Sequence, residues 1–158
     1  MTYRRLSEEI IWDAKCVERI PLRNGLILEI WNYSRKLAGD RWLVGFLAQI
    51  EVIPDRDDFS NSFYYEKFYE KTEGKFYYRY RKERTFVPEA EVGRIFEEIK
   101  ENFFKAALPY ISREDFPFNL IRREVALFEK QVDWELYLRR KEEEQELLEK
   151  VMKDKEIL

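Results

Sequence analysis

Histidine is absent from this chain of 158 residues, and cysteine occurs once, at Cys16. These two facts exclude the Ser-His-Asp and Cys-His arrangements that activate a nucleophile. They also exclude the imidazole base that works near neutral pH, and every His-containing or multi-cysteine metal site. Asp, Glu, Lys and Tyr remain as groups that can move protons. No pair of them stands out by spacing, so no catalytic residue is assigned and the reading leans away from an enzyme. A carboxylate-based enzyme is the last of its three alternatives.

Two acidic patterns have the residue types of a metal site. Asp55, Asp57 and Asp58 cluster after Pro54, but the segment lacks the glycine and closing glutamate of an EF-hand loop. Pro54-Asp55 followed by Glu73-Gly74-Lys75 has the order of the PD…ExK nucleases. If an extended strand separates the two acids, about ten residues at ~3.3 Å each hold them ~30 Å apart, too far to share an ion. The reading therefore expects no metal and no cofactor. Arg19…Arg23 with Asn32-Tyr33-Ser34 begins a cyclic-dinucleotide pattern, but Leu37 stands where that pattern needs glycine.

Two other groups of residues suit binding. Tyr65, Tyr78, Tyr80, Lys82 and Arg84 put aromatic rings beside cations, a combination that stacks a base or holds a ligand. The competing reading is a sheet face covered by helices, with the cationic stems reaching the rim. Leu147, Leu148, Val151 and Met152 form a short apolar stripe near the C-terminus. It lies beyond Arg139 to Glu146, where no residue is apolar. That arrangement reads as a helix docking on a protein partner or on a second copy. The favoured function is thus a non-catalytic binding or protein-interaction domain working through its last helix. A small-ligand or nucleotide site on the tyrosine-rich face is the alternative.

Composition sets the frame for these groups. Twelve Phe, ten Tyr and four Trp supply enough buried area to fold a chain whose charged residues reach 39%. With 29 basic and 32 acidic residues the net charge is −3, so there is no basic excess to hold a phosphate backbone and nucleic acid is disfavoured. No stretch approaches the roughly 18 apolar residues of a membrane span, and Met1 to Glu9 has no apolar core. The expected location is cytoplasmic, with no membrane partner. Abundant Lys, Arg and Glu beside scarce Gln, Asn, Met and His resemble thermophile usage.

The elements follow from periodicity. Alternation predicts strands from Ile10 to Ile20 and Leu26 to Tyr33. A three-residue loop, Arg23 to Gly25, sets Ile20 opposite Leu28 and keeps apolar residues on one face. Ser34 to Gly39 reads as a loop. Arg41 to Ile53 reads as a central strand, because Leu43 and Leu47 add apolar character to its second face. Phe63 to Tyr69 and Phe76 to Phe86 read as an aromatic hairpin, with Phe86 on the same face as Tyr78 and Tyr80. Pro88 is expected in the first turn of a helix bearing Val92, Ile95, Phe96, Ile99 and Phe103, stopped by Pro109. Asn119 is expected to cap a long, charged last helix. The expected whole is one α+β domain over residues 1–158. An antiparallel five-stranded meander occupies about 10–87, a helix 88–108 and the C-terminal helix 119–155. A strongly curved or partly closed sheet fits the same pattern.

Overall fold

Arg41–Val52 forms β4, the centre of the sheet. Val44, Phe46, Ala48 and Ile50 are wholly buried on one face, and Leu47 is nearly so on the other. Apolar residues on both faces suit a strand with neighbours on both edges. The computed structural model describes residues 14–156. In it β1 (Lys15–Pro21), β2 (Ile27–Asn32) and the short β3 (Arg35–Ala38) precede β4, and β5 (Phe76–Pro88) follows. All four pairings are antiparallel. β5 pairs with β4 from Arg41↔Pro88 to Val52↔Phe76. β2 takes the opposite edge of β4 from Phe46 to Ile50, and β3 takes that edge from Arg41 to Leu43. β1 adds outside β2, so the sheet is open, with β1 and β5 at its edges.

The five-stranded antiparallel sheet followed by helices agrees with the sequence reading. Two of the strands differ from those expected. Residues 35–38 pair as β3 instead of looping, through a tight turn in which Gly39 takes φ 59°. Residues 63–69 are helix, not strand: α1 spans Ser62–Thr72. Lys67 and Glu70 pair at three-residue spacing, 3.7 Å apart, which suits a helix surface, and the adjacent Glu66-Lys67 breaks strand alternation. Asn61 caps α1, its side chain accepting from the Tyr64 N–H at 3.3 Å. The expected hairpin loop, 71–75, is instead the end of α1. There Glu73 takes the left-handed conformation and donates its N–H to the Tyr69 carbonyl at 2.8 Å.

Ile20 does face Leu28. Asn24 fixes that hairpin. Its amide donates to the carbonyls of Ile111 (2.8 Å) and Arg113 (2.9 Å), while its Oδ1 accepts from Leu26 N–H at 3.1 Å. The expected strand start at Ile10 lies outside the described residues. Cys16 is a free, exposed thiol.

Two long helices complete the chain: α2 (Val92–Ile111) and α3 (Phe116–Glu156). Ile95, Phe96, Ile99 and Phe103 are buried along α2, as their spacing requires. Three boundaries depart from expectation. Pro88 ends β5 and precedes a single 3-10 turn, so α2 starts at Val92. Pro109 lies inside α2 without ending it. It sits in the last turn, where the Ser112 N–H and hydroxyl both bond the Leu108 carbonyl, at 3.1 and 2.6 Å. Asn119 lies within α3, which begins three residues earlier, and its N–H donates to the Asp115 carbonyl.

The chain gathers into two compact units, one of Met1–Pro54 with Gly74–Leu120 and one of Asp55–Glu73 with Ile121–Leu158. In the first, α2 packs on the sheet. Phe46 meets Phe96 and Phe103 with ring centroids 5.7 and 5.5 Å apart. In the second, Phe59, Phe68 and Phe128 form the core, with Phe68 5.2 and 5.3 Å from the other two. Polar contacts flank that core in register: the Ser60 hydroxyl with Glu129 and the Tyr64 hydroxyl with Asp133. Lys71 with Glu135 completes the set.

Candidate functional site

β5 and α2 run in opposite directions, so residues far apart in sequence share a groove. One wall carries Tyr78, Tyr80, Lys82 and Arg84, which alternate onto the same face of β5. The other carries Asn102, Ala106, Ala107 and Tyr110 of α2, and the groove holds about 440 Å³. Phe103 lies beneath, stacked on Tyr80 with centroids 4.9 Å apart. Tyr78 and Tyr110 both pack edge-on against Phe116, at 5.6 and 5.2 Å.

The polar groups are unevenly placed. Lys82 and Arg84 stand together at one end, and no carboxylate lines the groove. Arg84 reaches Glu98 at 3.7 Å, a carboxylate that Arg94 shares at 3.5 Å. The Lys82 side chain makes no hydrogen bond or ion pair with another described residue, although its backbone pairs with Phe46 in the ladder. The structure thus unites four of the five candidate ligand residues. Tyr65 is elsewhere, on α1, with Arg56 4.8 Å above its ring. Asn102, Ala106, Ala107 and Tyr110 were not anticipated. The signal was present, because the spacing Ile99, Phe103, Ala106/Ala107, Tyr110 continues the α2 stripe with small residues where bulk is expected.

Phe86 does not join this face. β5 bulges opposite Leu43, Phe86 takes φ 57°, and its ring is 73% exposed while Val87 fills the core position.

The other face of the sheet carries a second cluster that sequence reasoning missed. Tyr33 lies between β2 and β3, and its ring covers Gly45. A Cβ on Gly45 would sit 2.7 Å from Cγ of that ring and closer still to Cδ2 and Cε2. The Tyr33 hydroxyl donates to Glu83 at 2.9 Å and accepts from Arg81 at 3.2 Å. Arg81 and Glu83 pair at 2.6 Å. Burial is the chief reason the Tyr33 hydroxyl is pushed up to about 12, the Arg81 hydrogen bond acting the other way. Such a phenol stays protonated at neutral pH, which is the reverse of an activated nucleophile. Leu43 and Leu47 complete the cluster, with Trp31 against it.

The acidic patterns resolve into structure. Asp55 and Asp58 form a reciprocal cap on one 3-10 turn. The segment between Asp55 and Glu73 is largely helix, so the extended-strand premise for their separation does not hold. Among the described residues no group of three acidic or cysteine side chains is placed to hold a metal.

On α3, Leu147, Leu148, Val151 and Met152 are all exposed. They are not alone. Leu127, Trp134 and Leu138 are also exposed, at 47%, 59% and 43%. Leu127, Trp134, Leu138, Leu148 and Met152 keep to spacings of three, four and seven, with Lys141 and Gln145 filling the gap. At 100° per residue they form one stripe, turned away from Val125, Phe128 and Val132, which are buried. The stripe runs roughly 38 Å at 1.5 Å per residue. Among the described residues no helix is long and apolar enough to cross a membrane.

Comparison of the chain with protein-family models, with curated proteins and with solved structures finds no match.

Proposed function

We propose that the protein is a non-catalytic interaction domain that makes its contact through α3, pairing that helix with the same helix of a second copy. One observation carries this reading: the stripe from Leu127 to Met152 is exposed, although helix–helix contact is what keeps apolar residues at such spacing dry. From Tyr137 to Glu156 every described side chain of α3 is exposed. Most helical stability in proteins comes from packing of an amphipathic face, and an outside surface supplies that packing here. Gln131, Lys141 and Gln145 interrupt the stripe. Polar residues at such seam positions weaken association and fix the register of the pair.

Truncation after Arg139 tests the proposal. It keeps Phe59, Phe68, Phe128 and Val132, so the circular-dichroism melt should remain cooperative while sedimentation equilibrium shows association lost. A truncated chain that fails to fold would make the distal helix part of the core and sink the proposal.

A further inference from the structure

We infer that the groove between β5 and α2 is a binding site for a small amphipathic oxyanion with a planar apolar body. The two halves of the groove differ in chemistry. At one end, Lys82 and Arg84 project from alternate positions of the same strand face, with no lining carboxylate to neutralise them. Side chains two apart on a strand lie about 7 Å from each other, a span that lets two cations converge on one carboxylate or phosphate head. The Lys82 side chain has no hydrogen-bond or ion-pair partner among the described residues, and Arg84 holds Glu98 at 3.7 Å. The Lys82 ammonium is therefore uncommitted, and Arg84 can turn from Glu98 toward the groove.

At the other end the walls are aromatic and small. Tyr80 is 37% exposed although it stacks on Phe103, so part of its ring is left for a ligand. Ala106 and Ala107 replace the bulk that the α2 stripe carries elsewhere, and that is why a volume of about 440 Å³ is open. This lies in the range of small-ligand sites, roughly 300–1,000 Å³. Asn102 is the lone side-chain amide in the wall. Four residues of β5 separate Tyr78 from Lys82, about 13 Å at 3.3 Å each. A fused-ring or aryl body carrying one terminal anion matches that length and polarity. The site is independent of pairing through α3, whose stripe shares no residue with it.

Isothermal titration calorimetry of the full chain with 1-naphthoate, 1-naphthyl phosphate and the uncharged 1-naphthamide tests the inference. One anion should bind per chain, about tenfold or more tighter than the amide, because a charge-assisted contact is lost in the amide. The tighter of the two anions identifies the head as carboxylate or phosphate. Lys82→Gln changes an exposed side chain and should leave the melting temperature unchanged. It should weaken anion binding several-fold and leave amide binding as it was. Ala107→Leu fills the groove and should abolish binding of all three. Equal binding of amide and anions would overturn the inference, as would anion binding unaffected by both substitutions or no binding by either anion.

Discussion

The ring of Tyr33 and the bare backbone of Gly45 are a matched pair. The ring lies where a Cβ would be, so Gly45→Ala forces it aside and should cost about 1–3 kcal/mol in urea unfolding. Tyr33→Phe keeps the ring and removes only the hydroxyl contacts to Glu83 and Arg81. It should cost about 0.5–1.5 kcal/mol. The two ionisations have opposite signs. Tyr33 is raised in the folded protein from 10.0 to about 12. Its contribution is fully present below pH 10.0 and is lost as pH rises through about 12. Glu83 is held below its ordinary range, chiefly by the Arg81 hydrogen bond, so its contribution is present above that range and is lost as pH falls. Alkaline urea midpoints compared between wild type and Tyr33→Phe isolate the tyrosine. The wild type should lose more stability across that interval, and parallel curves would contradict the assignment. None of this was legible in the sequence, because Tyr33 and Glu83 are fifty residues apart and only the β2–β4–β5 pairing brings them together.

At the scale of elements, α1 shows how composition misleads. Phe63, Tyr64, Tyr65, Phe68 and Tyr69 have strand-forming side chains, and a strand there would have completed an aromatic hairpin. The Lys67–Glu70 pair at three-residue spacing and the Asn61 cap favour helix, and Phe68 is the side chain that the helix buries. Phe68→Ala should therefore cost about 3–5 kcal/mol, as removal of a buried ring does. Phe63→Ala, at an exposed position, should stay within about 0.5 kcal/mol. Comparable losses for both would point back to a strand with two packed faces. The alternating strands were legible: β4 by its two apolar faces, β1 and β2 by the Ile20–Leu28 register. β3 was not, because Arg-Lys-Leu-Ala is short and fully exposed. The bulge at Phe86 was hidden because it shifts the face of one residue without changing composition. For the groove, the β5 wall was legible from alternation. The α2 wall was not, since alanines give no sign of the space they leave.

At the scale of the molecule, two surfaces remain open to other molecules: the groove of one unit and the apolar stripe of the other. The stripe was half legible. Leu147 to Met152 stood out beyond a run of charge, whereas Leu127, Trp134 and Leu138 were hidden among the residues that pack on α1. Only the observed burial separates the two faces of α3: Phe128 and Val132 inward, Leu127 and Trp134 outward. That lengthens the exposed apolar stripe from two turns to about seven. Charge substitution inside the seam tests its role while the rest of α3 stays in place. Sedimentation equilibrium of the full chain beside Leu138→Lys/Leu148→Lys is the most direct measurement. The full chain should approach twice its 19.5 kDa mass as concentration rises, and the double variant should stay at 19.5 kDa with an unchanged melt. A full chain that stays at 19.5 kDa at every concentration, or a variant that still associates, would contradict pairing through α3.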